Sequence, residues 1–111
     1  MKLTVTGRNI EITEAMKNHL NYKMDKTFQG MGGITDVHVS LHVEKYRHMS
    51  EVTVKTKGLT LHANEATDNL YMTMDGVFGK IEKQLKKHKE RTQDLKFKNS
   101  SHAKDRLVGN N

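Results

Sequence analysis

Three successive runs between residues 37 and 63 alternate apolar and polar side chains with only short connections between them, and this limits the fold more than any other feature. Val37, Val39, Leu41 and Val43 alternate with His38, Ser40, His42 and Glu44, so an extended strand here has one oily face and one wet face. Residues 45–49, KYRHM, interrupt the pattern as an expected loop, and it resumes with Val52 and Val54 against Glu51, Thr53 and Lys55. Lys57 and Gly58 predict a tight hairpin turn, after which Leu59, Leu61 and Ala63 alternate with Thr60, His62 and Asn64. Connections this short cannot carry a crossover, so the three strands form an antiparallel meander.

The flanks complete the frame. Residues 2–6, KLTVT, read as a short strand with a turn at Gly7 and Arg8. Thr13 stands where a helix N-cap belongs, with Glu14 in the first turn, and Met16, Leu20, Met24 and Phe28 form one stripe of a helix over 13–28. The glycine-rich GMGG at 30–33 ends it, since each Gly gives up about 1 kcal/mol relative to Ala in a helix. A second helix is expected from Ala66 or Thr67 to about Arg91, with Leu70, Met74, Val77, Phe78, Ile81 and Leu85 within about 100° in projection. The first strand reaches the second through a helix, which predicts a right-handed β-α-β unit and a parallel pair. The expected fold is therefore α+β: β-α-β-β-β-α, a four-stranded mixed sheet with two helices packed on one face, as in double-stranded-RNA-binding domains. Residues 1–91 form the domain, and 92–111 are expected to be a flexible basic tail.

At 111 residues the chain has room for one core, and the lack of cysteine excludes a disulfide framework, a thiolate metal site and a thiol nucleophile. The start shows no signal-peptide pattern and no stretch is apolar enough to span a bilayer, so the cytoplasm is the expected location. Seven histidines raise the question of a metal, but His38 and His42 lie about 13 Å apart on one strand. No HExxH motif is present, and neither a metal nor a cofactor is expected. Nucleophile-elbow, Walker-type and dinucleotide motifs are missing too, and Asp68 and Asp75, two turns apart on the expected helix, are too far separated along it for a simple acid/base pair. No catalytic residue is assigned.

Charge is distributed unevenly. Residues 1–79 hold nine basic and nine acidic side chains, so the net +6 lies wholly in 80–111, as +4 in 80–91 and +2 in 92–111. Lys80, Lys83, Lys87 and Arg91 project within about 80° of one another beside the apolar stripe, with Lys86 further round. Such a ladder repels itself unless an anion lies against it, and its 5 to 6 Å spacing suits successive phosphates. The competing reading is a basic helix C-terminus that complements the macrodipole and aids solubility. Lys45, Tyr46, Arg47 and His48 in the loop combine fixed charge, an aromatic face and a titratable donor, a mixture that can stack a base and grip a phosphate or be only a hairpin tip. Lys23 and Lys26 on the first helix, and Arg8, extend the basic surface.

Three co-linear blocks carry a family resemblance: VTGRNIEITEAM (5–16), VEKYRHMSEVTV (43–54) and DNLYMTMDGVFGKIEKQLKKHKE (68–90). Together they resemble the short-form ribosome hibernation-promoting factors, the family that includes the ribosome-associated inhibitor. The resemblance implies a bacterial, non-enzymatic, monomeric protein that binds the small ribosomal subunit at the 16S rRNA decoding region. It would exclude mRNA and tRNA, repress translation in stationary phase or stress, and favour inactive ribosome dimers. The rRNA-contacting positions it implies are Lys80, Lys83, Lys86, Lys87 and Lys89, with Lys45 and His48, and Lys23 and Lys26 as additions. Asp68, Tyr71 and Asp75 match the family's DxxYxxxD run. Tyr71 is expected to anchor the helix on the sheet and Asp75 to orient neighbouring bases or cations. GMGG and the basic tail depart from the family pattern. Two rivals to this reading are a general double-stranded-RNA-binding module and a small interaction protein docking an acidic protein.

Overall fold

The computed structural model describes residues 2–99, with side chains through 88. Its elements are β1 (Lys2–Arg8), α1 (Glu14–Thr27), β2 (Ile34–Glu44), β3 (Arg47–Thr56), β4 (Leu59–Thr67) and α2 (Leu70–Asn99), in the expected β-α-β-β-β-α order. The sheet order is β1-β2-β3-β4, with β1 parallel to β2 and the other pairs antiparallel. Thr13 caps α1, its Oγ1 accepting from the Met16 amide at 3.2 Å. Gly58 has φ +78°, the left-handed conformation a two-residue hairpin needs.

Register follows the alternation. Val37 pairs with Val54 and Val39 with Val52 on the inner face, and Val54 and Val52 face Leu61 and Ala63 of β4. Both helices lie on this face. Met16, Leu20 and Met24 of α1, with Phe28, and Met74, Val77, Phe78, Ile81 and Leu85 of α2 complete one buried cluster. With no disulfide to share the task, this packing holds the fold, each large apolar side chain contributing about 1.5–3 kcal/mol on burial. The other sheet face carries Thr4, Thr6 and Arg8 beside His38, Ser40 and His42.

Four boundaries differ from expectation. β1 runs through Gly7 to Arg8, so neither is a turn residue, and Arg8 pairs with His42. The β2–β3 connection is only Lys45 and Tyr46, because Arg47, His48 and Met49 already pair as strand. α2 starts at Leu70, since Glu65, Ala66 and Thr67 continue β4; Asn69 is the cap, its Oδ1 accepting from the Met72 amide at 3.0 Å. Asp68 therefore lies before the helix. α2 also continues to Asn99 instead of ending near Arg91, because TQDLKFKN contains no glycine or proline to stop it. The remaining positions of the expected tail, 100–111, lie outside the described residues.

A polar corner explains two of these differences. His48 and Ser50 of β3 pair with Thr67 and Glu65 of β4 on the helix-facing side, so the inner face turns polar here. Thr73 of α2, fully buried, fastens this corner: its hydroxyl lies 3.2 Å from the His48 carbonyl, 2.7 Å from Thr67 Oγ1 and 2.8 Å from the Asn69 carbonyl. The interlocked hydroxyls and carbonyls set where β4 stops and α2 begins.

Candidate nucleic-acid interface

Lys83, Lys86 and Lys87 are exposed on α2 and form no hydrogen bond or ion pair among the described residues. Together with Gln84 they border a shallow depression. Lys86 also reaches the opposite flank, where a second depression brings it beside Thr27, Gly30, Met31 and Glu82. Lys89 and Arg91 belong to α2, but their side chains lie outside the described residues.

Lys80 has a different place. Its Nζ donates to the Asn64 carbonyl at 2.8 Å and lies 3.4 Å from Glu65 Oε1, while Gln84 Nε2 donates to the His62 carbonyl at 2.9 Å. β4 is an edge strand, and these two α2 side chains cap carbonyls that β3 leaves unpaired. Gly76 leaves room for Glu65, since a Cβ there would stand 2.7 Å from the carboxylate. Lys80 is thus committed to the fold, although helical projection puts it in one ladder with Lys83 and Lys87. Gln84 carries no charge signal, so the sequence pattern passes over it, and only the sheet order shows its role.

The α1 contribution is tied to α2. His19 Nε2 donates to Asp75 Oδ1 at 2.7 Å, Lys23 Nζ lies 3.9 Å from the same oxygen, and Lys26 sits 5.8 Å over the Tyr22 ring. Tyr71 meets His19 edge-on, with ring centroids 4.9 Å apart at 87°. Contrary to expectation, Tyr71 does not anchor α2 on the sheet: it is 40% exposed and faces α1. The Asp75 carboxylate is thus engaged by His19 and Lys23, both from α1.

At the β2–β3 turn Lys45 takes φ +56° and Tyr46 projects with 86% exposure. Lys45, Tyr46 and Arg47 border an open cleft of about 550 Å³ with Glu44, Thr67 and Asp68. His48 is not part of this tip. Its side chain is on the helix-facing side with Nδ1 buried, apart from the cleft that Lys45, Tyr46 and Arg47 border. Arg8 projects from the open sheet face, its Nε donating to His42 Nδ1 at 3.3 Å.

The structure therefore divides the expected site. Thr73, beside His48, marks the turn end of α2, and Lys87 lies about 21 Å further along the axis at 1.5 Å per residue. The start of α2 adjoins an aromatic tip with Lys45 and Arg47; its middle carries Lys83, Lys86 and Lys87. No helix among the described residues is long and apolar enough to cross a membrane.

Comparison with known proteins agrees with this fold. Residues 3–93 match the family described as sigma 54 modulation protein / S30EA ribosomal protein. The ribosome hibernation promoting factor of Escherichia coli K12 is 38% identical over 91 residues, covering 82% of this chain and 96% of that protein. A ribosomal subunit interface protein from Coxiella burnetii superposes with TM-score 0.76 at 28% identity, over 81% of this chain and 99% of the other. The Protein Y N-terminal domain of Thermus thermophilus gives 0.70 at 26% identity, over 78% and 94%. On the match over nearly the whole folded region, the chain belongs to the sigma 54 modulation protein / S30EA ribosomal protein family.

Proposed function

We propose that the chain is a ribosome hibernation factor that binds the small ribosomal subunit in the cytoplasm, lies across the decoding region of 16S rRNA, and blocks mRNA and tRNA binding. In this reading translation falls by steric occlusion, no bond is made or broken, and short-form behaviour extends to favouring inactive ribosome dimers. The observation that carries it is the exposed set Lys83, Lys86 and Lys87, none of which forms an ion pair among the described residues. Like charges three and four residues apart on a helix cost stability, and ribosomal RNA phosphate offsets that cost. Family membership and the hibernation promoting name of the Escherichia coli relative support the same partner.

The test is sucrose-gradient sedimentation with isolated small subunits. Co-migration is expected, lost on joint Lys83→Glu and Lys87→Glu substitution, with no binding to free duplex RNA. With about five phosphates neutralised, log affinity should fall against log salt with a slope of about −3.5 to −4.5. A flat salt response, or co-migration that survives both substitutions, would overturn the assignment. Binding to free duplex RNA would instead favour a general double-stranded-RNA module.

A further inference from the structure

Tyr46 is the most exposed large hydrophobic residue among those described, at 86%, and it occupies half of a two-residue turn. Full burial of an aromatic side chain is worth about 1.5–3 kcal/mol, and this ring takes almost none of that from its own fold. The turn holds it out: Lys45 adopts φ +56°, a conformation unfavourable for a residue with a Cβ, while β2 and β3 are paired up to Glu44 and Arg47. The ring is thus presented from a rigid hairpin end.

The chemistry around it is mixed. Lys45 and Arg47 flank the ring in sequence, and the cleft of about 550 Å³ is also bordered by Glu44 and Asp68, with the Glu44 carboxylate 3.8 Å from His42 Nε2. Two carboxylates make this a poor seat for phosphate alone. They are suited to the amino edge of a base, where a carboxylate accepts from an exocyclic amine. An aromatic face for stacking, cations for the flanking backbone and acceptors for a base edge together describe a nucleotide site.

We propose that the β2–β3 turn is a base-stacking site, in which Tyr46 receives an unpaired, amine-bearing base of ribosomal RNA on its ring. Lys45 and Arg47 contact the adjoining phosphates, and Glu44 and Asp68 accept from the base edge. This rests on the reading that the chain binds the small subunit. It adds to that reading a contact that is independent of the α2 lysines and reads a single-stranded feature, where the lysines read charge.

The chain contains no tryptophan, so Tyr46→Trp introduces a sole indole reporter at the site. Titrated with purified small subunits, its emission should be quenched, and ultraviolet cross-linking should join it to rRNA. In parallel, Tyr46→Ala should weaken binding between about 5- and 150-fold, the range for loss of one stacked base, while Tyr46→Phe binds as the parent does. Because the side chain is exposed, circular dichroism of Tyr46→Ala should match the parent. Unquenched indole emission from the Tyr46→Trp variant, together with parental affinity of Tyr46→Ala, overturns the stacking site while the subunit-binding reading stands. A cross-link to a ribosomal protein in place of rRNA also overturns it. If the parent itself fails to co-sediment with small subunits, both readings fall.

Discussion

Gly7 and Gly79 both lie inside regular elements, yet their surroundings call for opposite responses to a methyl group. At Gly7 an added Cβ would stand 2.8 Å from the Ile10 carbonyl oxygen and 2.8 Å from Ile12 Cδ1, because the chain leaving β1 folds back across it. A backbone carbonyl cannot rotate aside as a side chain can, so Gly7→Ala is expected to cost about 1–3 kcal/mol. At Gly79, within α2, such a Cβ would meet no described residue within 4 Å beyond its own helix's neighbouring backbone, and Gly79→Ala should gain up to about 1 kcal/mol by helix propensity. Thermal unfolding checks the pair: Tm should fall for the first and rise by roughly 4–8 °C for the second. A fall for both would show that the flank of α2 at Gly79 is more crowded than its surroundings indicate. Thr13 as a cap and Gly58 as a turn are legible in the sequence because each acts on its immediate neighbours. The role of Gly7 is not, since it depends on where residues 10–12 return.

At the scale of elements, period-2 alternation locates β2, β3 and β4, and the recurrence of Met16, Leu20 and Met24 locates α1. Two of the four departures lie at one corner. His48, Ser50, Glu65 and Thr67 are polar residues on the inner face, so the alternation of β3 and β4 is hidden where those strands pass beneath Thr73. Alternation alone consequently makes the loop too long and starts α2 too early. Projection of α2 likewise shows which side chains share a flank but not what lies beside that flank. Lys80 and Lys83 look alike on a helical wheel, yet Lys80 caps the β4 edge at Asn64 and Lys83 bonds to nothing among the described residues. The two should respond differently. Lys83→Gln is expected to reduce the salt slope for small-subunit binding by about 0.7–0.9. Lys80→Gln should leave the slope nearly unchanged and lower Tm, since it removes a cap from an edge carbonyl. Equal slope changes for the two substitutions would show that Lys80 leaves Asn64 on binding.

Taken as a whole, the molecule presents its two candidate contacts at the start and the middle of α2. The Tyr46 tip adjoins the corner marked by Thr73, while Lys83 and Lys87 lie about 15 and 21 Å along the axis from it. At physiological ionic strength the Debye length is about 8 Å, so charge changes at one contact are largely screened at the other. The packed sheet and helices between them form one buried cluster, which fixes their separation without linking their local chemistry. Two rigidly spaced contacts on one structured RNA surface should contribute independently to affinity. The fold-losses of Tyr46→Ala and of joint Lys83→Glu and Lys87→Glu are therefore expected to multiply within about twofold in the combined variant, because sites this far apart couple by only about 0.3–0.5 kcal/mol. Equilibrium binding of the parent, the Tyr46 variant, the lysine variant and the combined variant to small subunits at fixed salt measures this. A combined loss no greater than the larger separate loss would mean that both contacts act through a single docking step, with the tip engaging only once the lysines are seated. Multiplication would mean that each contact meets its own part of the RNA, and that the distance set by α2 helps select the surface on which both can bind at once.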